Sequence, residues 1–515
     1  MHFQKPKIKK FIAFLVFLLL IWEVFIHCTY LFRDTYRAGR QNLVGFYSEK
    51  EDSLDVVLIG ASSVYRYWDC MYAWKGYGIA SYDYSVGSMS PAATIFAIKE
   101  IKKTQDPQLF VFDVRKILSR FPDTTGGVWG TLDAQDYSLN RLSAVAYYCK
   151  LNGIALKDAW AEIIDIMTYH SNHAALASKL SWQLWDNRAD ESLDTDGYYK
   201  GFSIDASHAF VTGPEEDIFT DQTKPLDGKT ETVYLDILEY CQENDIPLLL
   251  VASPFVVTAD DVMEFNRMEE IAQEYGFPFL NANQCYEEMG LDFSTDFYDE
   301  EHVNLFGAAK YTDFLARYIK DHYEISHRQD READQLWESI YARYALEAEG
   351  AYAELHNTIE GKKATLEMEA VMRDTDDATD WLTMAYNDDI TVFVLKHEGS
   401  GNAPSIESRA YLRKYGLFIE PDSDGRSYMG RVCQEVLYGS SVDVQHESTF
   451  FDEMNYVLSV WDTPQITIGG INYYQDIPEG IHMLAYDNHT QEAFDYVVLQ
   501  VEEDGSLTMQ HCDMK

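Results

Sequence analysis

Asp299 and His302 stand three residues apart in the stretch Phe297 to Ile319, FYDEEHVNLFGAAKYTDFLARYI, just ahead of apolar residues Leu305, Ala308, Ala309, Phe314 and Leu315 at helical spacing. This pattern predicts a loop that carries both side chains into a helix, with Asn304 as N-cap. A carboxylate beside an imidazole fixes the proton on one ring nitrogen and leaves the other to take a proton from a nucleophile. The nucleophile is offered near residue 60, where the aliphatic run Val56 to Ile59 ends in Gly60-Ala61-Ser62-Ser63. A glycine at the carboxyl end of a buried strand permits a tight turn that exposes a hydroxyl above the sheet edge, with backbone N–H groups beside it. The same residues also fit a plain strand-to-helix turn in which Ser62 or Ser63 acts only as a cap.

Such groups need a scaffold that brings distant parts of the chain to one edge. Val56 to Ile59 predicts a strand buried on both faces. Gly78 to Tyr84 predicts a second, followed by Ser85-Val86-Gly87-Ser88 and a helix from about Pro91 to Lys103, where proline suits the first turn. After Asp106-Pro107 comes a third strand, Leu109 to Asp113. The alternation resumes with a helix at about Glu231 to Asn244, a strand Leu248 to Ala252, a helix at about Ala259 to Tyr275 and a strand Pro278 to Leu280. Strand, helix, strand repeated in this way predicts an α/β fold on a five-stranded parallel sheet, with the Asp299 loop following the fifth strand.

At 515 residues the chain is too long for one core, and its 46% hydrophobic and 14% aromatic content is that of a globular protein. The 85 acidic against 41 basic residues give a formal charge of -44, which argues against nucleic acid as a partner. The cysteines at 28, 70, 149, 241, 285, 433 and 512 are scattered without a C-x-x-C pair, so neither a zinc site nor a disulfide framework is indicated. No metal or cofactor is expected. Lys5, Lys7, Lys9 and Lys10 precede the apolar run Phe11 to Phe32, which predicts a single transmembrane helix with a cytoplasmic N-terminus and the bulk of the chain extracytoplasmic. Residues 34–53 read as a connector.

Together, Gly60-Ala61-Ser62, Gly87 after a second strand, and Asp299-x-x-His302 before a helix resemble the sequence blocks of the SGNH, or GDSL-like, hydrolases. The closer likeness is to the membrane-anchored bacterial branch that includes teichoic-acid D-alanylation and alginate O-acetylation proteins. The resemblance covers about residues 54–322, interrupted by a long insert, and implies a flavodoxin-like three-layer sandwich in a domain of residues 54–325. It also implies Ser62 as nucleophile, His302 as general base and Asp299 as its orienting group, with the backbone N–H groups of Ser62 and Gly87 in the oxyanion hole. Ala61 stands where the family usually has aspartate, and the asparagine expected after the third strand is absent, where the chain reads Asp113-Val114-Arg115-Lys116. Arg115 can replace that donor, bind an anionic substrate, or pair with Asp113.

Residues 117–227 read as a helical insert on the strand-end side of the sheet. Thr124 to Gly130 suggests a loop, and Ala144 to Met167 one or two helices. Trp182, Trp185, Tyr198, Tyr199 and Phe202 supply aromatic surface for a core or for stacking on sugars, and His170 and His173 lack a third ligand at suggestive spacing. Residues 326–362 predict a helical linker. From 363 to 515 short alternating runs, LEMEAVM, ITVFVLK, RVCQEVLY, NYVLSVW, QITIGGINYYQ, IHMLAYD and DYVVLQV, predict an all-β accessory domain of sandwich type. The acidic cluster Asp374, Asp376, Asp377 and Asp380 reads as a solvated turn.

Two functions fit these features. One is a serine esterase or O-acyltransferase acting on acylated envelope glycans or glycopolymers, alongside envelope-modification partners. The other is an inactive protein of the same fold that holds glycan or an assembly partner.

Overall fold

In the computed structural model the described residues are 5–32, 40–121, 125–132, 134–159, 164, 167, 199–328, 330–396, 402–419, 427–451, 454–461, 464–475 and 480–514. His170, His173, Trp182, Trp185 and Tyr198 lie outside them. The chain divides into two compact units, Met1–Leu355 and His356–Lys515.

The first unit is built on strands β1 (Val56–Gly60), β2 (Ser81–Ser85), β3 (Leu109–Asp113), β4 (Leu248–Ala252) and β5 (Phe279–Asn281), all parallel, in the order β2-β1-β3-β4-β5. Strands β1 to β4 are buried throughout; β1, β3 and β4 are the apolar runs expected when helices cover both faces, whereas β2 reads Ser-Tyr-Asp-Tyr-Ser. Right-handed crossovers in this strand order put the helices Cys70–Tyr77 and Leu305–His322 on one face and Thr94–Ile101, Gly228–Glu243 and Ala259–Tyr275 on the other. The second strand starts at Ser81 rather than Gly78, because Gly78 adopts φ +66° and closes the preceding helix.

Several expectations change. Most of Thr124 to Gly130, read as loop, lies in a helix (Thr125–Leu132), and the described α-helix that enters the predicted stretch Ala144 to Met167 is Leu139–Asn152. The stretch expected as a helical linker is helical, as part of one 44-residue helix, Arg331–Asp374. In the first unit it packs against its neighbours, one of the two roles open to it: Trp337 and Ile340 are buried, and the buried Tyr344 hydroxyl donates to the Asp69 carboxylate. The apolar amino-terminal stretch does form a helix, Lys5–Phe32, and Phe11, Phe14, Phe17 and Leu20 are among its exposed side chains. Among the described residues, however, no helix is long and apolar enough to cross a membrane, so the predicted transmembrane span is not supported.

The second unit holds two antiparallel sheets. One has six strands in the order β10-β9-β8-β15-β16-β17 (Glu435–Ser440, Tyr428–Cys433, Ile390–Lys396, Ile481–Asp487, Glu492–Val501, Leu507–His511), and the other four, β11-β12-β13-β14 (Gln445–Phe450, Met454–Ser459, Gln465–Ile468, Ile471–Asn472). Phe393, Leu395, Leu484 and Tyr496 of the larger sheet pack against Tyr456, Leu458, Ile466 and Ile468 of the smaller. Trp381 and Leu412, from the short helices Ala378–Met384 and Ile406–Lys414, cover its other face with Met372. LEMEAVM, expected as the first strand, is the end of the long helix instead. Its L-E-M-E alternation suggests a period of two, yet the buried positions are Thr365, Glu369 and Met372, the spacing of one helical face. Asp377 caps the helix Ala378–Met384, accepting from the N–H groups of Thr379 and Asp380.

Glu369 carries a consequence for stability. Its side chain is buried next to the buried Asp487, and burial first, then repulsion and hydrogen bonding with Asp487, push its carboxyl up from an ordinary 4.5 to about 8 despite the Arg373 guanidinium 3.1 Å away. The folded unit therefore holds this proton more tightly than the unfolded chain. The stabilisation is complete below about pH 4.5 and is lost as pH rises through about 8. Calorimetric melting at pH 5, 6.5 and 8 should show a falling transition temperature for this unit, with a shallower fall in Glu369→Gln.

Candidate active site

Beyond the sheet, Phe297–Asp299 (β6) and His302–Val303 (β7) pair antiparallel, with Asp299 opposite His302. The two side chains are thus held on one tight turn. Asn304 anchors it by accepting from the N–H groups of Phe306 and Gly307 as N-cap of Leu305–His322, while its amide donates to the carbonyls of Thr295 and Phe297. Ser62 begins the short helix Ser62–Tyr65 directly after β1. Thr312 bridges the two regions, since its hydroxyl donates to the Tyr67 carbonyl at 3.1 Å and accepts from the Asp69 N–H at 2.9 Å.

The result is a continuous relay. His302 Nε2 lies 2.7 Å from Ser62 Oγ, and His302 Nδ1 lies 3.0 and 3.1 Å from the two Asp299 oxygens. An ionised carboxylate only accepts, so Nδ1 carries the proton and Nε2 is left to accept from the Ser62 hydroxyl. Burial pushes the Asp299 carboxyl up, but the hydrogen bond and charge of His302, the Glu301 N–H at 2.8 Å and the Tyr298 hydroxyl outweigh it and hold it down at about 2. Asp299 is therefore an anion at any ordinary working pH.

Ser63 is excluded from the relay. Its buried hydroxyl donates to Asp113 Oδ1 at 2.9 Å, away from the imidazole. Gly60 gives this turn its room, because a Cβ there would stand 2.6 Å from Val64 Cγ2 and 3.0 Å from Asp113 Cβ. Gly60→Ala should therefore displace the Ser62 turn and lower kcat by about 10²-fold, the effect of roughly 1 Å of misplacement. Kinetics beside a melting curve would separate this from simple unfolding.

Of the roles considered for Arg115, a side-chain hydrogen bond to Asp113 is not formed. Its side chain is buried, and Nη2 donates to the Glu301 carbonyl at 2.7 Å while Nη1 donates to the Tyr67 hydroxyl at 3.0 Å. The Tyr67 hydroxyl donates to that same carbonyl at 2.7 Å. Only the backbone N–H of Arg115 bonds to Asp113. Its guanidinium, 4.2 Å from the centre of the Phe255 ring, braces the turn between Asp299 and His302, and its buried Nε has no partner among the described residues.

The outer rim consists of Gly87, which is exposed, Tyr65, and Arg66, whose guanidinium lies 4.6 Å from the Tyr298 ring centre and pairs with Asp205. Tyr298 in turn lies 5.5 Å from the His302 ring, centre to centre. The segment around Asp205 joins both halves, its Ser203 N–H donating to the Tyr65 carbonyl and its Asp205 carbonyl accepting from Leu305. Tyr67, Thr312 and Asp205 had no sequence signal, since each acts on a residue remote in the chain. Among the described residues no group of His, Cys, Asp and Glu side chains forms a metal site. Comparison of the sequence with models of known families and with curated proteins finds no match.

Proposed function

We propose that the protein is a serine esterase or O-acyltransferase of SGNH type that works through Ser62, His302 and Asp299. The reading is carried by the unbroken Ser62–His302–Asp299 hydrogen-bond relay at the carboxyl end of a parallel sheet. Ser62 Oγ bonds to the ester carbonyl carbon while its proton passes to His302 Nε2, and the carbonyl electron pair moves onto oxygen. The carbonyl then reforms as the ester C–O bond breaks, and the leaving alcohol takes the proton from Nε2. Water or a sugar hydroxyl attacks the acyl-enzyme by the same route and restores Ser62. Acylated envelope glycan or glycopolymer is the proposed substrate, with the amino-terminal helix tethering the chain at a membrane. The exposed apolar side chains from Phe11 to Trp22, following Lys9 and Lys10, support that tether.

A fluorophosphonate probe, which reacts only with an activated hydroxyl, tests the reading. Peptide mapping should find the label on Ser62 and none on Ser63. Labelling of Ser63, or equal labelling in Ser62→Ala, would refute it.

A further inference from the structure

A tetrahedral oxyanion forming at Ser62 needs preorganised donors, and the backbone N–H groups of Ser62 and Gly87 supply two under the proposed reading. At the end of β3, Asp113 accepts from Ser63 and from the Ser253 and Arg115 N–H groups, and both Nη groups of Arg115 are engaged by Glu301 and Tyr67, which leaves only its buried Nε without a partner. Tyr65 lies one helical turn after Ser62, and residues three apart on a helix share a face with Cβ atoms about 5–6 Å apart. Its hydroxyl reaches across to the second strand's turn, where a methyl built on Gly87 would stand 3.7 Å from Tyr65 Oη. That turn is bent open by Ser88 at φ +54°, and Gly87 has no side chain to fill the gap.

We propose that the Tyr65 hydroxyl is the third oxyanion donor of this site, an inference that rests on the Ser62 reading above. The ring is held in place: the Tyr65 carbonyl accepts from the Ser203 N–H at 2.8 Å, and the Arg66 guanidinium lies 5.8 Å from the ring centre. As Ser62 Oγ bonds to the carbonyl carbon, the carbonyl oxygen takes the electron pair and Tyr65 donates a hydrogen bond to it without surrendering its proton. The bond weakens again when the carbonyl reforms.

The test compares purified wild type, Tyr65→Phe and Ser62→Ala on p-nitrophenyl acetate, together with binding of phenyl trifluoromethyl ketone, which serine hydrolases hold as a hemiketal oxyanion. Tyr65→Phe should lower kcat by about 10²-fold or more. KM should stay within about threefold, because the lost bond exists only in the transition state. The pH profile should be unchanged, and affinity for the ketone should fall in parallel with kcat/KM. A kcat within about threefold of wild type in Tyr65→Phe, with Ser62→Ala inactive, would overturn the donor and leave the triad standing. Undiminished turnover in Ser62→Ala would overturn both.

Discussion

Ser62→Ala should lower kcat on an acyl ester by about 10⁴-fold or more, whereas Ser63→Ala should stay within about tenfold of wild type. The difference follows from partners, since the two hydroxyls are neighbours in sequence. Ser62 Oγ is 2.7 Å from an imidazole whose other nitrogen is bound by a carboxylate held ionised, and Ser63 Oγ is bound to a buried aspartate. Removing Ser63 leaves Asp113 with its N–H donors from Arg115 and Ser253, so the expected cost is mainly in stability. His302→Ala should cost nearly as much as Ser62→Ala, and the double variant little more than either, because a nucleophile and its base act as a unit. Steady-state release of p-nitrophenol by the variants measures all of this. Independent, additive losses would show that the relay is not the working unit.

Arg115→Met should lower kcat by about 10²-fold with little change in KM. Methionine keeps the bulk against Phe255 but lacks the fork that reaches both the Glu301 carbonyl and the Tyr67 hydroxyl. The Glu301 carbonyl would then keep only the Tyr67 hydroxyl, with Val256 still donating to the Glu300 carbonyl, and a shift of His302 by a fraction of an ångström breaks the bond to Ser62. The melting temperature should fall as well, since a hydrogen bond to a charged donor is worth about 1.5–3 kcal/mol. Arg115→Lys should recover only part of the loss, because one ammonium cannot span both acceptors in the guanidinium geometry. A KM effect without a kcat effect would instead assign Arg115 to substrate binding.

The parts of the fold that could be read from sequence are those decided by local pattern. Strands β1, β3 and β4 are aliphatic runs bounded by turn residues, and Asn304 before a helical period marks the start of Leu305–His322. Where local pattern was ambiguous, burial decided. LEMEAVM alternates like a strand, but Thr365, Glu369 and Met372 face one core, which only a helix permits.

The sequence by itself determined the residue types proposed for acyl chemistry and the parallel sheet at whose edge they were expected, because hydrophobic period and turn residues are local properties. The resemblance pointed to Ser62, and tertiary structure decided that this serine, and not Ser63, faces the imidazole and which groups Arg115 bonds. Ser62 meets a side chain 240 residues away, and Arg115 a carbonyl 186 residues away. Contacts at such separations depend on how the helices and turns pack over the sheet, which no spacing in the chain encodes.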